Sequence, residues 1–159
     1  MQANNGKLHG FKGSLYEGGI RTPFIVSWPA KFKGGRTIDE PVISLDILPT
    51  VIEATNIERL AEQNFDGKSL LPLLNGKSTN HHPVLFWNSG EEKSEWAVRE
   101  GKWKAHSFRG KLQLFDLIND PYEKSNIASK QPDLAKRLTK LHSDWQAKMR
   151  RSEVKLTRS

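Results

Sequence analysis

Apolar and polar positions follow no single period along this chain, and the changes of period divide it into candidate elements. Residues 6–19 (GKLHGFKGSLYEGG) have no hydrophobic period and are rich in glycine, which predicts an irregular loop where the backbone turns tightly and no regular element spans it. Residues 23–28 (PFIVSW), closed by Pro29, form a short β-branched and aromatic run that predicts a buried strand. SLDILPTVIEAT then places Leu45, Leu48 and Ile52 on one helical face, with Asp46 at the N-cap and Pro49 in the first turn, where a missing N–H is tolerated.

FDGKSLLPLLNGK (residues 65–77) is a turn-rich linker with apolar anchors, and it predicts a boundary. After it the pattern alternates. PVLFWN, EWAVREG, KWKAHSF and KLQLFDL read as four antiparallel strands, with REGK (99–102) and RGK (109–111) as turns. Trp87, Trp96 and Trp103 on these strands are expected in the core. From Pro132 to about residue 149, Leu134, Leu138, Leu141 and Trp145 recur at helical spacing and predict a helix laid across the sheet. The end, RRSEVKLTRS, reads as frayed. The expected division is 1–77, 78–150 and a basic tail over 151–159.

Composition narrows the chemistry. The chain has 159 residues, 36% of them hydrophobic and 27% charged, which fits a folded domain and excludes whole-chain disorder. No apolar run approaches the roughly 18 residues that span a bilayer, and the polar start MQANNGKLHG carries no apolar signal core. With no cysteine, disulfides, thiolate nucleophiles and sulfur-ligated metal sites are excluded. The net charge of +7 invites a nucleic-acid reading. Its placement argues against one, because residues 130–159 hold nine basic against three acidic side chains while the rest is close to neutral. A basic tail rather than a basic face sets the charge.

Candidate chemistry lies in the glycine-rich loop. Lys12, between Gly10 and Gly13, presents an ammonium where backbone N–H groups also face an anion, which suits phosphate or sulfate. Glu17 is expected to hold the loop through backbone N–H groups or by pairing with Lys12 or Arg21. Asp39-Glu40 and Glu91-Glu92 read as solvated pairs. His81-His82 reads as a plain loop, since neighbouring side chains of an extended chain point to opposite faces. Asp116, Asp120, Pro121 and Asn126 fit turn chemistry.

Residues 6–35 resemble the stretch of the formylglycine-dependent sulfatases, in the alkaline-phosphatase superfamily, that carries the pattern G-x-K-x-x-x-Y-E-G-G-x-R-x-P. SLDILPT, FDGKSLLPLL, VREGKWKAH and LFDLINDPYEKSNIA resemble later segments of that family in the same order, and five collinear matches are far more specific than one. The similarity is greatest to arylsulfatases and N-acetylgalactosamine-6-sulfatases, whose Asn-Gly ahead of the lysine loop is matched by Asn5-Gly6.

The resemblance implies an α/β fold, seen as α+β in this portion alone: the end of the large α/β domain followed by a small C-terminal subdomain of four antiparallel strands and a packed helix. It implies that Lys12 binds the substrate sulfate, that Tyr16, Glu17, Gly18, Gly19, Arg21 and Pro23 shape its loop, and that His9 is a substrate-contact candidate. The family's calcium and formylglycine are implied for the full-length protein. No metal ligand is assigned within this chain, including Asn4-Asn5-Gly6, and no Cys or Ser in a C/S-x-P-x-x-R pattern supplies a nucleophile. The implied function is hydrolysis of a sulfate ester on an aryl group or sugar, with this chain contributing a lysine and inactive alone. The implied partners are the substrate, a sulfated small molecule or glycan, and the remainder of a sulfatase chain, with no nucleic acid and no membrane. The implied location of the full-length protein is periplasmic or extracellular. The alternatives are a non-catalytic polyanion-binding α+β module using the basic tail, and a phosphodiesterase or phosphonate hydrolase of the same superfamily.

Overall fold

Alternation over residues 84–116 produces a four-stranded antiparallel sheet in simple order: β1 (Val84–Asn88), β2 (Trp96–Glu100), β3 (Trp103–Phe108) and β4 (Lys111–Asp116). The computed structural model describes residues 4–58, 64–90 and 95–156. The β3–β4 hairpin turns through Arg109 (φ 51°) and Gly110 (φ 75°), the two consecutive positive φ values that match a tight turn to the strands' right-handed twist. Register pairs Val98 with Ala105 and Ala105 with Leu114, so these three residues share one face.

That face carries the core. A long helix, Pro132–Leu156, packs Ala135 and Leu138 onto Val98, Ala105 and Leu114, with Phe86, Trp96, Trp103, Leu112, Leu134 and Leu141 around them. Trp145 stacks on Phe86 with ring centroids 5.1 Å apart, and His142 stacks on Trp96 at 4.4 Å. Trp96 and Trp103 therefore join the core as expected, whereas Trp87, one residue out of phase with Phe86, stands on the opposite face. The helix runs through the segment read as a frayed end and continues to Leu156; residues 157–159 lie outside the described ones.

The chain divides into two compact units, Met1–Pro23 with Val84–Ser159, and Phe24–Pro83. The first includes one turn of helix, Glu17–Ile20, where the sequence predicted no regular element. The second includes a 3₁₀ turn, Ser44–Asp46, that runs into a helix, Ile47–Thr55, and a short helix, Leu71–Leu74. In chain order the helices are α1 (Glu17–Ile20), α2 (Ile47–Thr55), α3 (Leu71–Leu74) and α4 (Pro132–Leu156).

In the second unit two sequence motifs lock together. The Asp46 carboxylate accepts the Lys68 N–H at 2.8 Å, and the Thr50 hydroxyl accepts the Leu70 N–H at 2.8 Å. Gly67 makes this possible, since a Cβ there would lie 2.0 Å from the Leu45 carbonyl oxygen. Asp46 occupies the N-cap of α2 as predicted but makes no side-chain cap bond to that helix, because its carboxylate is committed to Ile43, Lys68 and His82 instead.

The strand expected over residues 23–28 does not form. Phe24, Ile25 and Val26 are 50%, 88% and 44% exposed and belong to no ladder. A run of β-formers becomes a strand only when a neighbour supplies the other half of its hydrogen bonds, and β1 to β4 pair only with one another. Leu45 and Leu48 are likewise 55% and 54% exposed, so the predicted apolar face of α2 is present but uncovered.

Leu138 is fully buried beneath the sheet. Leu138→Ala is expected to cost about 2–5 kcal/mol through lost burial and an unfilled cavity. Leu48→Ala, at an exposed position, is expected to stay within about 0.5 kcal/mol. Urea unfolding of the two variants measures both.

Candidate functional site

The opposite face of the sheet mixes apolar residues (Leu85, Ala97, Phe115) with polar ones. Arg99 on β2, Lys104 and His106 on β3, and Gln113 on β4 all fall out of phase with the core residues. Lys104 and His106 are nonetheless fully buried. A buried ammonium persists as a charge only with opposite charge and hydrogen bonds around it. Here the loop of residues 9–20 and the turn after β4 supply them.

The Lys104 Nζ lies 2.9 Å from Glu17 Oε1 and 2.8 Å from Glu123 Oε1. Glu123 Oε2 in turn accepts the backbone N–H of Glu17 at 2.6 Å, and Arg99 lies 4.0 Å from Glu17 Oε2. Desolvation pushes the Glu123 carboxyl above its ordinary range, although Lys104 pulls the other way. A second anchor stands beside this one. Glu95, also buried, accepts the Leu15 N–H at 2.9 Å and bonds the His106 Nε2 at 2.8 Å. Burial drives the His106 pKa down, outweighing the Glu95 hydrogen bond.

Tyr16 fills the space between the anchors. Its hydroxyl donates to Gln113 at 2.6 Å, its ring meets the His106 edge at 4.2 Å, and His9 stacks on it at 3.9 Å. The two glycines that follow are dictated by close approach. A Cβ on Gly18 would sit 2.5 Å from the His9 and Gly10 carbonyl oxygens, and one on Gly19 would sit 2.1 Å from the Ser14 carbonyl oxygen. The Gly18 N–H donates to His9 at 2.7 Å, and the Asn5 amide donates to the Gly18 carbonyl at 2.7 Å. Residues 9–14, which carry Lys12, are thereby draped over a base nailed to the sheet.

Lys12 itself is exposed and has no ion pair among the described residues. Of the residues read as loop-forming, Tyr16 and Glu17 anchor one contact network that Gly18 and Gly19 close, and His9, read as a substrate-contact candidate, joins it through Tyr16 and the Glu123 carbonyl. Arg21 is exposed at the C-cap of α1, its N–H bonded to the Glu17 carbonyl. His9 is exposed, with Nδ1 3.3 Å from the Glu123 carbonyl oxygen and its ring stacked on Tyr16. Glu17 pairs with Lys104 and Arg99, not with Lys12 or Arg21 as expected.

Sequence reasoning did not single out Lys104, Glu123, Glu95, His106 and Gln113. One signal was present, because KWKAHSF puts a lysine and a histidine two residues apart on one strand face, where a buried face would demand acids from elsewhere. Asp116, Asp120 and Asn126 act as read, accepting backbone N–H groups of Ile118, of Lys124 and Ser125, and of Leu114 and Ala128. Glu40 accepts the His81 N–H at 2.9 Å and so is not a merely solvated carboxylate; Glu91-Glu92 lies outside the described residues.

Known proteins resemble this chain in sequence and in fold. A family model described as N-sulphoglucosamine sulphohydrolase, C-terminal, matches residues 9–151. Steryl-sulfatase of Homo sapiens is 42% identical over 110 residues, covering 66% of this chain and 19% of that protein. Arylsulfatase A of Homo sapiens is 35% identical over 141 residues, covering 86% of this chain and 27% of that protein. Among solved structures, Ps i-CgsB superposes with a TM-score of 0.79 at 27% identity, over 87% of this chain and 31% of that one. A Bacteroides thetaiotaomicron protein from a locus for glycosaminoglycan metabolism gives 0.73 at 26% identity, over 89% of this chain and 32% of that one. The chain thus spans about a fifth to a third of the length of these relatives.

Two outcomes follow from the buried network. Lys104→Met leaves two carboxylates facing each other and is expected to cost about 3–5 kcal/mol, with the loop of residues 9–20 losing hydrogen-exchange protection. Adding Glu17→Gln and Glu123→Gln to it is expected to recover part of that loss, which a denaturant titration reads. The second concerns pH. His106, whose surroundings include Glu95, Lys104, His9 and Tyr16, has its pKa held below the ordinary 6.5. The unfolded chain then binds the proton more readily, so this contribution to stability is complete above 6.5 and is lost as pH falls through the folded value. The urea midpoint is expected to drop between pH 7.5 and 5.5, and to drop less in His106→Gln; an identical drop in that variant would assign the titration to another group.

Proposed function

Since this chain belongs to the N-sulphoglucosamine sulphohydrolase C-terminal family of sulfatase domains, we propose that it is the sulfate-binding, C-terminal portion of a sulfatase that hydrolyses sulfate esters of aryl or sugar substrates. The observation that carries this reading is the contrast between Lys12 and Lys104. One ammonium is buried and neutralised to fix the loop; the other is exposed, without an ion pair, and carried on the loop so fixed.

Lys12 binds the sulfate and stabilises charge that develops on its oxygens as the ester bond breaks. A fixed cation does so without reorganising at the moment of reaction, which is where electrostatic stabilisation is largest. Tyr16, Glu17, Gly18 and Gly19 hold the loop, and His9, exposed and stacked on Tyr16, is the second substrate-contact residue. A sugar substrate is favoured by a structural relative, Ps i-CgsB, whose structure is known in complex with k-i-k-neocarrahexaose.

Calcium and formylglycine, which the family implies, do not fit residues of this chain. It has no cysteine and no C/S-x-P-x-x-R pattern, and the group of Asp46, His81 and His82 that converges among the described residues offers two imidazoles and one carboxylate, not the oxygen set calcium takes. The nucleophile and calcium ligands are therefore assigned to the rest of a sulfatase chain. The uncovered apolar side chains Phe24, Ile25, Val26, Leu45, Ile47 and Leu48 support that partner, since a patch of this kind marks a surface that packs against protein. No helix among the described residues is long and apolar enough to cross a membrane. A periplasmic or extracellular location is assigned from the family.

The 159-residue chain alone is expected to release no sulfate from an aryl sulfate. In the longer protein encoded with it, Lys12→Ala is expected to lower kcat/KM for that substrate by about 100- to 1,000-fold with an unchanged unfolding midpoint. Lys12→Arg is expected to lose less. Full activity in Lys12→Ala would overturn the assignment, and a phosphate monoester cleaved faster than the sulfate ester would favour the phosphoesterase alternative.

A further inference from the structure

His81 and His82, read from the sequence as a plain loop, instead turn toward one carboxylate. The chain bends at His81 rather than running extended, so the two rings no longer point apart; their centroids are 4.5 Å from each other, edge to face. His82 Nε2 lies 2.8 Å and 3.0 Å from the two oxygens of Asp46, and His81 Nε2 lies 3.3 Å from Asp46 Oδ2. We propose that Asp46, His81 and His82 form a metal site for a zinc-like divalent transition ion, independent of the sulfate-binding loop.

Four features carry this. The donor set is right, because two imidazole nitrogens and one carboxylate oxygen suit zinc and its neighbours rather than calcium or magnesium. The spacing is right: ligands about 2.0–2.1 Å from a tetrahedral ion stand about 3.3 Å apart, and the donor atoms of all three residues lie within 4.8 Å of one another. The site is enclosed, with Asp46 and His81 exposed by 0% and 4%. Most telling, His81 Nε2 is buried 3.3 Å from Asp46 Oδ2 without a well-formed hydrogen bond, which is a costly arrangement that an ion at this point would remove.

The surrounding chain holds the donors as a metal site requires. Asp46 is aimed by the N–H groups of Ile43 at 2.9 Å and Lys68 at 2.8 Å, which still leave lone pairs on both oxygens. His81 is fixed through its main chain, its N–H donating to Glu40 and its carbonyl accepting from Lys68 Nζ, both at 2.9 Å. With three protein ligands, the ion retains a position for water, and it ties the start of α2 to the chain just before β1. An ion bound there clips together two segments 36 residues apart in sequence.

The test is titration of the chelator-stripped 159-residue chain with Zn²⁺ against a chromophoric competitor, with X-ray absorption of the loaded protein. One Zn²⁺ per chain is expected, with a first shell of two imidazole nitrogens and carboxylate or water oxygens at about 2.0–2.2 Å. His81→Gln and His82→Gln are each expected to weaken binding at least about 10-fold, while His142→Gln, buried in α4, leaves it unchanged, and excess Ca²⁺ does not displace the ion. Absence of stoichiometric uptake would overturn the proposal. So would uptake surviving in both His81→Gln and His82→Gln, or a first shell without nitrogen. The absorption spectrum comes from the unsubstituted protein and decides the matter even if a variant fails to fold.

Discussion

A lysine with no exposed surface is the constraint from which the first unit is built. Lys104 sits in the middle of a four-stranded sheet, on the face away from the helix, and its ammonium demands two carboxylates that this face of the strands does not contain. Glu17 comes from the loop before the sheet and Glu123 from the turn after it, so one charge fixes three segments more than a hundred residues apart at their extremes. Such an arrangement is poor as a source of net stability and strong as a source of specificity, since no other placement of those segments neutralises the charge.

The apolar face obeys a looser rule. Val98, Ala105, Leu114, Ala135 and Leu138 need only be apolar and of suitable volume, and several combinations would serve. This difference explains what was legible in the sequence. The meander and α4 followed from period alone, because every strand alternates and the leucines of α4 recur at helical spacing. The loop network did not, because a buried ion pair has no periodicity; only the offset of Lys104 and His106 within a strand hinted at it. Resemblance located the loop at Lys12 without explaining why Gly18 and Gly19 must lack side chains, which follows from carbonyl oxygens 2.1–2.5 Å from where a Cβ would stand.

The misread segments share one physical cause. Residues 23–28 and the apolar face of α2 have the composition of buried elements and are exposed, because burial is a property of neighbours and not of the segment itself. Local pattern predicts what a segment is fit to do, and a strand without a neighbour remains only a fit. His81-His82 failed in the opposite sense. The rule that adjacent side chains diverge holds for extended backbone, and the bend at His81 removes its premise.

Asp46 and Glu17 show how the two units solve the same problem at different exposure. Each is an acid buried at a helix start, and each binds a backbone N–H donor or a basic side chain from a distant stretch of chain. Glu17 meets the Lys104 ammonium at 2.9 Å and the Arg99 guanidinium at 4.0 Å, so its cations come from within the protein. Desolvation would raise the Asp46 carboxyl, yet hydrogen bonds from Ile43, Lys68 and His82 keep it below its ordinary range, so it remains an anion. Two imidazoles face it, and no lysine or arginine side chain is paired with it among the described residues. A buried anion flanked by two imidazole nitrogens is matched most simply by a divalent ion, and the difference between these two carboxylates is the physical reason one is read as scaffold and the other as a ligand.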